Sequence, residues 1–231
     1  MPCLTMDMRE KILDVRLSAV ASFIQHGENV LDVGSDHAYL PLYLLRNGLC
    51  NKALATDIKQ GPVDSALRNA IKYGLEDKVG IMLYDGIPPM AIGEYSTVVI
   101  AGMGGLTICN ILAKVIDDLR KTSTKLVLQP MTEQAALREF LLNNGYIIKA
   151  EKYPFDSKKR YNVIYAICGE EKEKYSLAEL HLGRISATLD IDGYYSYANE
   201  KIALTETAVV KGGDDKKNLL EELKNHVRKA R

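Results

Sequence analysis

No tryptophan occurs in this chain, and its four cysteines, Cys3, Cys50, Cys109 and Cys168, lie far apart with no C-x-x-C pair. That spacing excludes a disulfide framework. The equally dispersed His26, His37, His181 and His226 argue against a structural zinc or any other bound metal. No uninterrupted apolar run approaches the ~18 residues that a membrane helix needs. Met1 to Arg16 also lacks the apolar stretch of a signal peptide, so a cytoplasmic protein is expected, with no membrane partner. Excess charge is missing too: 30 basic side chains face 30 acidic ones. No global field then draws nucleic acid to the chain, and any RNA affinity must come from local patches.

What is present is 231 residues, 47% of them hydrophobic, enough for one sizeable core with an appendage. Apolar residues at helical spacing predict an amphipathic helix over 9–24. A short apolar run, 29–34, then ends in glycine and turns into a helix that carries Pro41 in its first turn. Residues 52–57 repeat the strand signal before a helix over 62–73. Strands near 79–83, 95–101 and 125–129 alternate with helices near 105–120 and 132–143. That alternation predicts a Rossmann-like α/β sheet, mostly parallel and covered on both faces. Two strand-like runs, 146–153 and 161–168, joined by the polar turn 154–160, predict a closing antiparallel hairpin. After the charged linker 170–174, helices are expected near 176–181, 190–210 and 215–230. The expected division is therefore a domain over 1–169 and a helical, coiled-coil-like extension over 170–231.

The strongest chemical signal is Asp32-Val-Gly-Ser-Asp-His-Ala-Tyr-Leu-Pro41, because open α/β sheets bind ligands at the carboxyl end of their strands. Gly34 lets backbone approach a ligand closely, with Ser35 and His37 beside it. A dinucleotide enzyme wants G-x-G-x-x-G here, so that pyrophosphate reaches the helix N-terminus. This chain has Asp36 at the second glycine position. A carboxylate repels phosphate but suits a cation, and S-adenosylmethionine carries both a sulfonium and an ammonium group. Asp57 ends the second strand 23 residues after Gly34, where a carboxylate can accept ribose hydroxyls. Asp85-Gly86 follows the third strand, where it can accept from an adenine amino group. Ala101-Gly102-Met103-Gly104-Gly105 ends the fourth strand and faces the same crevice, its glycines exposing bare backbone and Met103 offering an adaptable apolar contact. Asp36 and Asp57 are also ordinary helix caps and Asp85-Gly86 an ordinary turn pair, so the weight lies in the cluster.

At these residues the sequence resembles the bacterial TrmK-type tRNA (adenine-N1)-methyltransferases. The likeness runs through Arg16-Leu17, Asp32 to Pro41, Asp57, Ala101 to Gly105, Leu128-Gln-Pro-Met131 and Arg160-Tyr-Asn-Val-Ile164, and covers most of residues 1–168. It implies methyl transfer from S-adenosylmethionine to N1 of the adenine at tRNA position 22, with a helical C-terminal part, although Gly183-Arg184 stands where Gly-Pro is typical. Adenine N1 has an in-plane lone pair, so alignment and desolvation matter more than a strong base. Once N1 is alkylated, N6 becomes acidic, and Asp36 is the candidate to relieve that cation. The base must be unpaired or flipped out first. For tRNA capture the candidates are Arg9 and Arg16 in the first helix, Lys158, Lys159 and Arg160 in the hairpin turn, and the final helix with Arg228. Three readings compete: a NAD-dependent oxidoreductase, which Asp36 opposes; a non-catalytic RNA-binding protein that keeps the fold; and a methyltransferase acting on a small molecule or protein.

Overall fold

The computed structural model describes residues 13–156, 159–213 and 216–229. The candidates Arg9 and Lys158 lie outside the described residues. In chain order the elements are α1 (Val15–Ala21), β1 (Glu28–Val33), α2 (Tyr39–Arg46), β2 (Cys50–Asp57), α3 (Gln60–Lys72), β3 (Val79–Leu83) and β4 (Thr97–Met103). There follow α4 (Gly105–Ala113), α5 (Ile116–Lys121), β5 (Lys125–Pro130), α6 (Gln134–Asn143), β6 (Tyr146–Lys152), the two-residue strands β7 (Phe155–Asp156) and β8 (Lys159–Arg160), and β9 (Val163–Cys168). The chain continues through α7 (Leu177–Leu182), α8 (Ile191–Val210) and α9 (Lys217–Lys229).

Seven strands form one sheet in the order β3-β2-β1-β4-β5-β9-β6. The first five pair in parallel, and β9 runs antiparallel to both β5 and β6. The parallel sheet with a closing hairpin is thus as expected, and the hairpin connection adds a small ribbon of β7 and β8. Side chains alternate between the two faces, as a period of two requires. Leu31, Val33, Val98, Ile100, Leu126 and Leu128 pack in one core with residues of α4 to α6. Val30, Ala53, Ala55, Val99 and Val127 pack in the other with residues of α1 to α3. Asp32 follows the alternation onto the side of Val30, which turns it toward α1.

Two expected helices differ. Within the described residues the first runs only from Val15 to Ala21, because the Asp14 carboxylate caps it by accepting from Leu17 N at 2.6 Å. At its far end Phe23 N and Ile24 N donate back three residues instead of four, tightening the chain into a turn. The expected helix over 105–120 is two: Val115 takes φ −140°, ψ 5°, and α5 restarts so that Ile116 and Leu119 are buried. Among the described residues no helix is long and apolar enough to cross a membrane.

The C-terminal helices build a third core from Ala178, Leu182, Tyr194, Tyr197, Leu223 and Val227, with Tyr153 of the hairpin inserted into it. A capping box starts α7, with Ser176 and Glu179 bonding each other's backbone N–H. Beneath it lies a polar network with no exposure at all. Arg138 of α6 donates Nε to Glu151 Oε1 at 2.8 Å, Nη2 to Glu151 Oε2 at 3.1 Å and to Asn162 Oδ1 at 2.8 Å, and Nη1 to the Leu180 carbonyl at 2.6 Å. The Tyr153 hydroxyl is shared between Glu151 at 2.5 Å and the Leu182 carbonyl at 3.0 Å. Burial opposes the charge on Arg138, but the adjoining Glu151 carboxylate outweighs it and holds the guanidinium protonated. Gly183 takes φ +89° directly over this network, where a Cβ would collide with Glu151 and stand 2.5 Å from the Tyr153 hydroxyl.

Candidate active site

The strand order reverses between β1 and β4, and at such a switch point the two following loops part to open a crevice. Here the loop after β1 begins at Gly34, and Gly102 sits at the irregularity near the end of β4. Both take left-handed φ, +72° and +82°, and the next turns do the same with non-glycine residues, Asp36 at +49° and Ala38 at +56°. Aspartate is among the few side chains that tolerate this region, so the position filled by glycine in dinucleotide turns keeps its backbone shape while gaining a carboxylate. Gly34 N and Ser35 N both donate to the Thr56 carbonyl, at 2.8 and 3.0 Å, and this ties the turn to β2. Gly105 is obligatory for a different reason: a Cβ there would run into the backbone carbonyls of Thr132 and Glu133.

Two adjoining cavities occupy the crevice. The first, about 590 Å³, is lined by Gly34, Asp36, Asp57, Asp85, Gly86 and Met103, among others. The second, about 380 Å³, is lined by Asp32, Ser35, His37 and Arg16, among others, and meets the first at Gly34, Asp36, Ala101 and Gly102. Of the expected crevice residues, all but Gly104 and Gly105 line one cavity or the other. Gly104 sits just behind, a Cβ there lying 3.1 Å from Thr132 Oγ1.

Asp57 accepts from Lys59 N at 3.0 Å and, more loosely, from Asp36 N at 3.3 Å. It lines the first cavity, and α3 begins after Lys59 without a side-chain cap. Asp85 is ion-paired with Lys114 at 3.1 Å, both largely exposed. The Asp36 carboxylate, 64% exposed, lies 3.3 Å from His37 Nε2, and the His37 ring leans on Tyr39 at 5.2 Å. Asp32 differs from these. Only 6% exposed, it accepts from Ser35 Oγ at 2.5 Å. Burial pushes its carboxyl up from 3.8 to about 6, against the lowering effects of Ser35 and of Arg16.

The expected RNA contacts are not brought together. Lys159 is exposed over the Tyr161 ring. Arg160 turns inward instead, donating Nη1 to the Tyr153 carbonyl at 2.9 Å and pairing with Glu200 at 3.6 Å. Arg228 is exposed on α9. Arg16 lines the second cavity, its side chain 20% exposed.

One residue of the site escaped the sequence reading as a candidate. Gln129 is fully buried at the end of β5, and its Oε1 accepts from both Arg16 Nη1 at 2.9 Å and Gly102 N at 3.1 Å. Its signal was a lone amide closing the otherwise apolar run Leu126-Val-Leu128. Chemically, the crevice offers carboxylates, bare backbone and apolar contacts from Ile58 and Met103. That donor set fits a ligand bearing hydroxyls, an aromatic ring and positive charge, and opposes a pyrophosphate.

Comparison with known proteins bears on this geometry. Residues 13–164 match a family model described as a methyltransferase domain. The tRNA (adenine(22)-N(1))-methyltransferase of Bacillus subtilis (strain 168) is 35% identical over 178 residues, 77% of this chain and 74% of the relative. The crystal structure of the B. subtilis M1A22 tRNA methyltransferase TrmK superposes with a TM-score of 0.76 at 28% identity, covering 94% of this chain and 96% of that one. M. capricolum TrmK in complex with S-adenosyl-homocysteine gives 0.76 at 27% identity over the same shares. A Streptococcus pneumoniae protein in complex with S-adenosyl-L-methionine gives 0.80 at 29% identity, covering 94% and 98%.

Proposed function

Because the chain belongs to the bacterial TrmK family of tRNA methyltransferases, we propose that it methylates N1 of adenine 22 in tRNA, using S-adenosylmethionine held in the β1/β4 crevice. The observation that carries this reading is the crevice's chemistry: carboxylates surround a glycine turn whose second glycine position is Asp36. In the first cavity Asp57 accepts the ribose hydroxyls, while Asp85 and Gly86 meet the adenine edge. Gly34 and Ala101 to Met103 offer backbone to the rest, with Ser35, His37 and Asp32 on the side of the second cavity.

When bound, the cofactor supplies a methyl group on a sulfonium centre. The protein's own work is to align the base and exclude water. The target nitrogen carries its lone pair in the ring plane, so no group need deprotonate it beforehand. The open backbone at Gly102, where the two cavities meet, admits a flat base edge-on. Asp36, where the two cavities meet, takes the proton that N6 sheds after alkylation. Adenine N1 lies on the pairing edge, so the base reaches the crevice only when flipped from its stack. Residues 1–169 form the methyltransferase domain and 170–231 the helical extension, and Lys159 and Arg228 contribute phosphate contacts. The protein acts in the cytoplasm, where its substrate is.

Incubating the protein with unmodified tRNA and tritiated S-adenosylmethionine, then digesting to nucleosides, tests the reading. Label in 1-methyladenosine that disappears from a tRNA with guanine at position 22 is expected. Absence of label would leave an RNA-binding role, and label in another nucleoside would overturn the target.

A further inference from the structure

We propose that the ring of Phe155 is a stacking platform for an unpaired nucleobase of the tRNA, carried on the small ribbon of β7 and β8. The proposal rests on the tRNA reading above and names a contact surface for that substrate. Of the chain's three phenylalanines, Phe23 is buried and Phe140 packs against a core, but Phe155 is 52% exposed. In the ribbon Phe155 faces Arg160, while Asp156 faces Lys159 on the opposite side. The Arg160 guanidinium lies over the Phe155 ring, 5.1 Å from its centroid. That cation is spoken for, since its side chain is 17% exposed and is held by the Tyr153 carbonyl and Glu200. Its work on the ribbon is to back the ring. One guanidinium covers only one face, which leaves the other to a partner.

The position of the ribbon identifies that partner. Because β9 runs antiparallel to both β5 and β6, the end of β6 and the ribbon after it lie at the carboxyl edge of the sheet, the edge that carries the crevice. β7 lies against α1, whose first turn lines the second cavity. Just past that helix, Lys152 Nζ donates to Ser22 Oγ at 2.6 Å. On its other side the ribbon meets α8 through Arg160 and Glu200. A polynucleotide that delivers a base to the crevice passes along this rim. Flipping the target out deprives the neighbouring bases of a stacking partner, and an aromatic ring at the rim replaces it. Stacking also suits a chain of balanced charge: with 30 basic against 30 acidic side chains, counterion release alone supplies little affinity. A single ring flanked by Lys159 and Arg160 fits a polyanion better than an apolar protein surface.

The chain has no tryptophan, so Phe155→Trp puts the molecule's one indole on the ribbon. Titration with unmodified tRNA should quench most of its emission, whereas Met90→Trp, on the exposed β3–β4 connection, should keep its own. Phe155→Ala should raise the Kd for tRNA by roughly 5- to 50-fold. The slope of log Kd against log salt should not change, because no charge is lost, and S-adenosylmethionine should bind as before. Phe155→Leu keeps apolar bulk but no flat face, and should bind tRNA as weakly as Phe155→Ala. An indole at position 155 that ignores bound tRNA, wild-type affinity in Phe155→Ala, or restored affinity in Phe155→Leu would each overturn the platform while the methylation reading stands. A wild type that binds tRNA without methylating it takes down the catalytic reading, and the quench still decides the platform. One that binds no tRNA overturns both.

Discussion

Two charged regions of this molecule invite comparison: the β1/β4 crevice, with Asp36, Asp57 and Asp85, and the knot of Arg138, Glu151 and Asn162 under the C-terminal helices. Both hold carboxylates beside cations. In the knot every side chain is fully buried and both Glu151 oxygens are engaged. In the crevice the carboxylates are open to solvent or held by long contacts such as the 3.3 Å bond to Asp57. Charge that is buried and saturated specifies architecture, and charge that is left partly unsatisfied on a cavity wall is available for a ligand. Asp32 stands between, buried like the knot but facing the cavity.

The largest expected effect is on the knot. Glu151→Gln leaves the Arg138 charge buried without compensation and should cost about 3–5 kcal/mol in urea unfolding. A cost below 1 kcal/mol would erase the contrast between the regions. Next comes Asp32→Asn. Its folded pKa of about 6 exceeds the unfolded 3.8, so the fold disfavours the ionised form. That penalty is absent below 3.8, grows as pH rises and is complete above about 6. The amide should therefore stabilise the ligand-free protein by about 3 kcal/mol at pH 7, at 1.36 kcal/mol per pH unit, and lose most of that gain at pH 4. A gain unchanged by pH would show that Asp32 is not ionised against a burial cost.

Asp57→Ala should weaken S-adenosylmethionine binding by roughly 10- to 100-fold while shifting stability by less than about 1 kcal/mol, since the two backbone hydrogen bonds it accepts are exposed. The reverse pattern would turn Asp57 from a ligand group into a structural one. Smallest are the exposed cations: Lys159→Ala or Arg228→Ala should raise KM for tRNA by only about two- to fivefold, more at low salt, with kcat unchanged. No change in either would remove these two side chains from the RNA surface.

The crevice was legible in the sequence because its residues cluster at strand ends, where a parallel sheet always places its loops. Gly34, Asp57 and Ala101 each follow an apolar run, and the alternation of strand and helix supplied the register. The knot was not legible. Arg138, Glu151, Asn162 and the Leu180 carbonyl are separated by 13, 11 and 18 residues, and nothing local marks a charged pair as buried. The Lys114–Val115 break was hidden as well, since Ile116 and Leu119 continue the apolar pattern of α4 and only the backbone at Val115 reveals the interruption. Arg16 was read as a surface cation because its partner Gln129 is 113 positions away.

The bond from Arg138 to the Leu180 carbonyl has a practical consequence for anyone building chimaeras from this chain. A tail grafted from a relative must present a main-chain acceptor at that spot, followed by a residue able to sit at φ +89° without a Cβ. Tails that satisfy both demands should graft on with their core intact, whereas a linker joined upstream of Ser176 would strand a guanidinium donor in a dry interior.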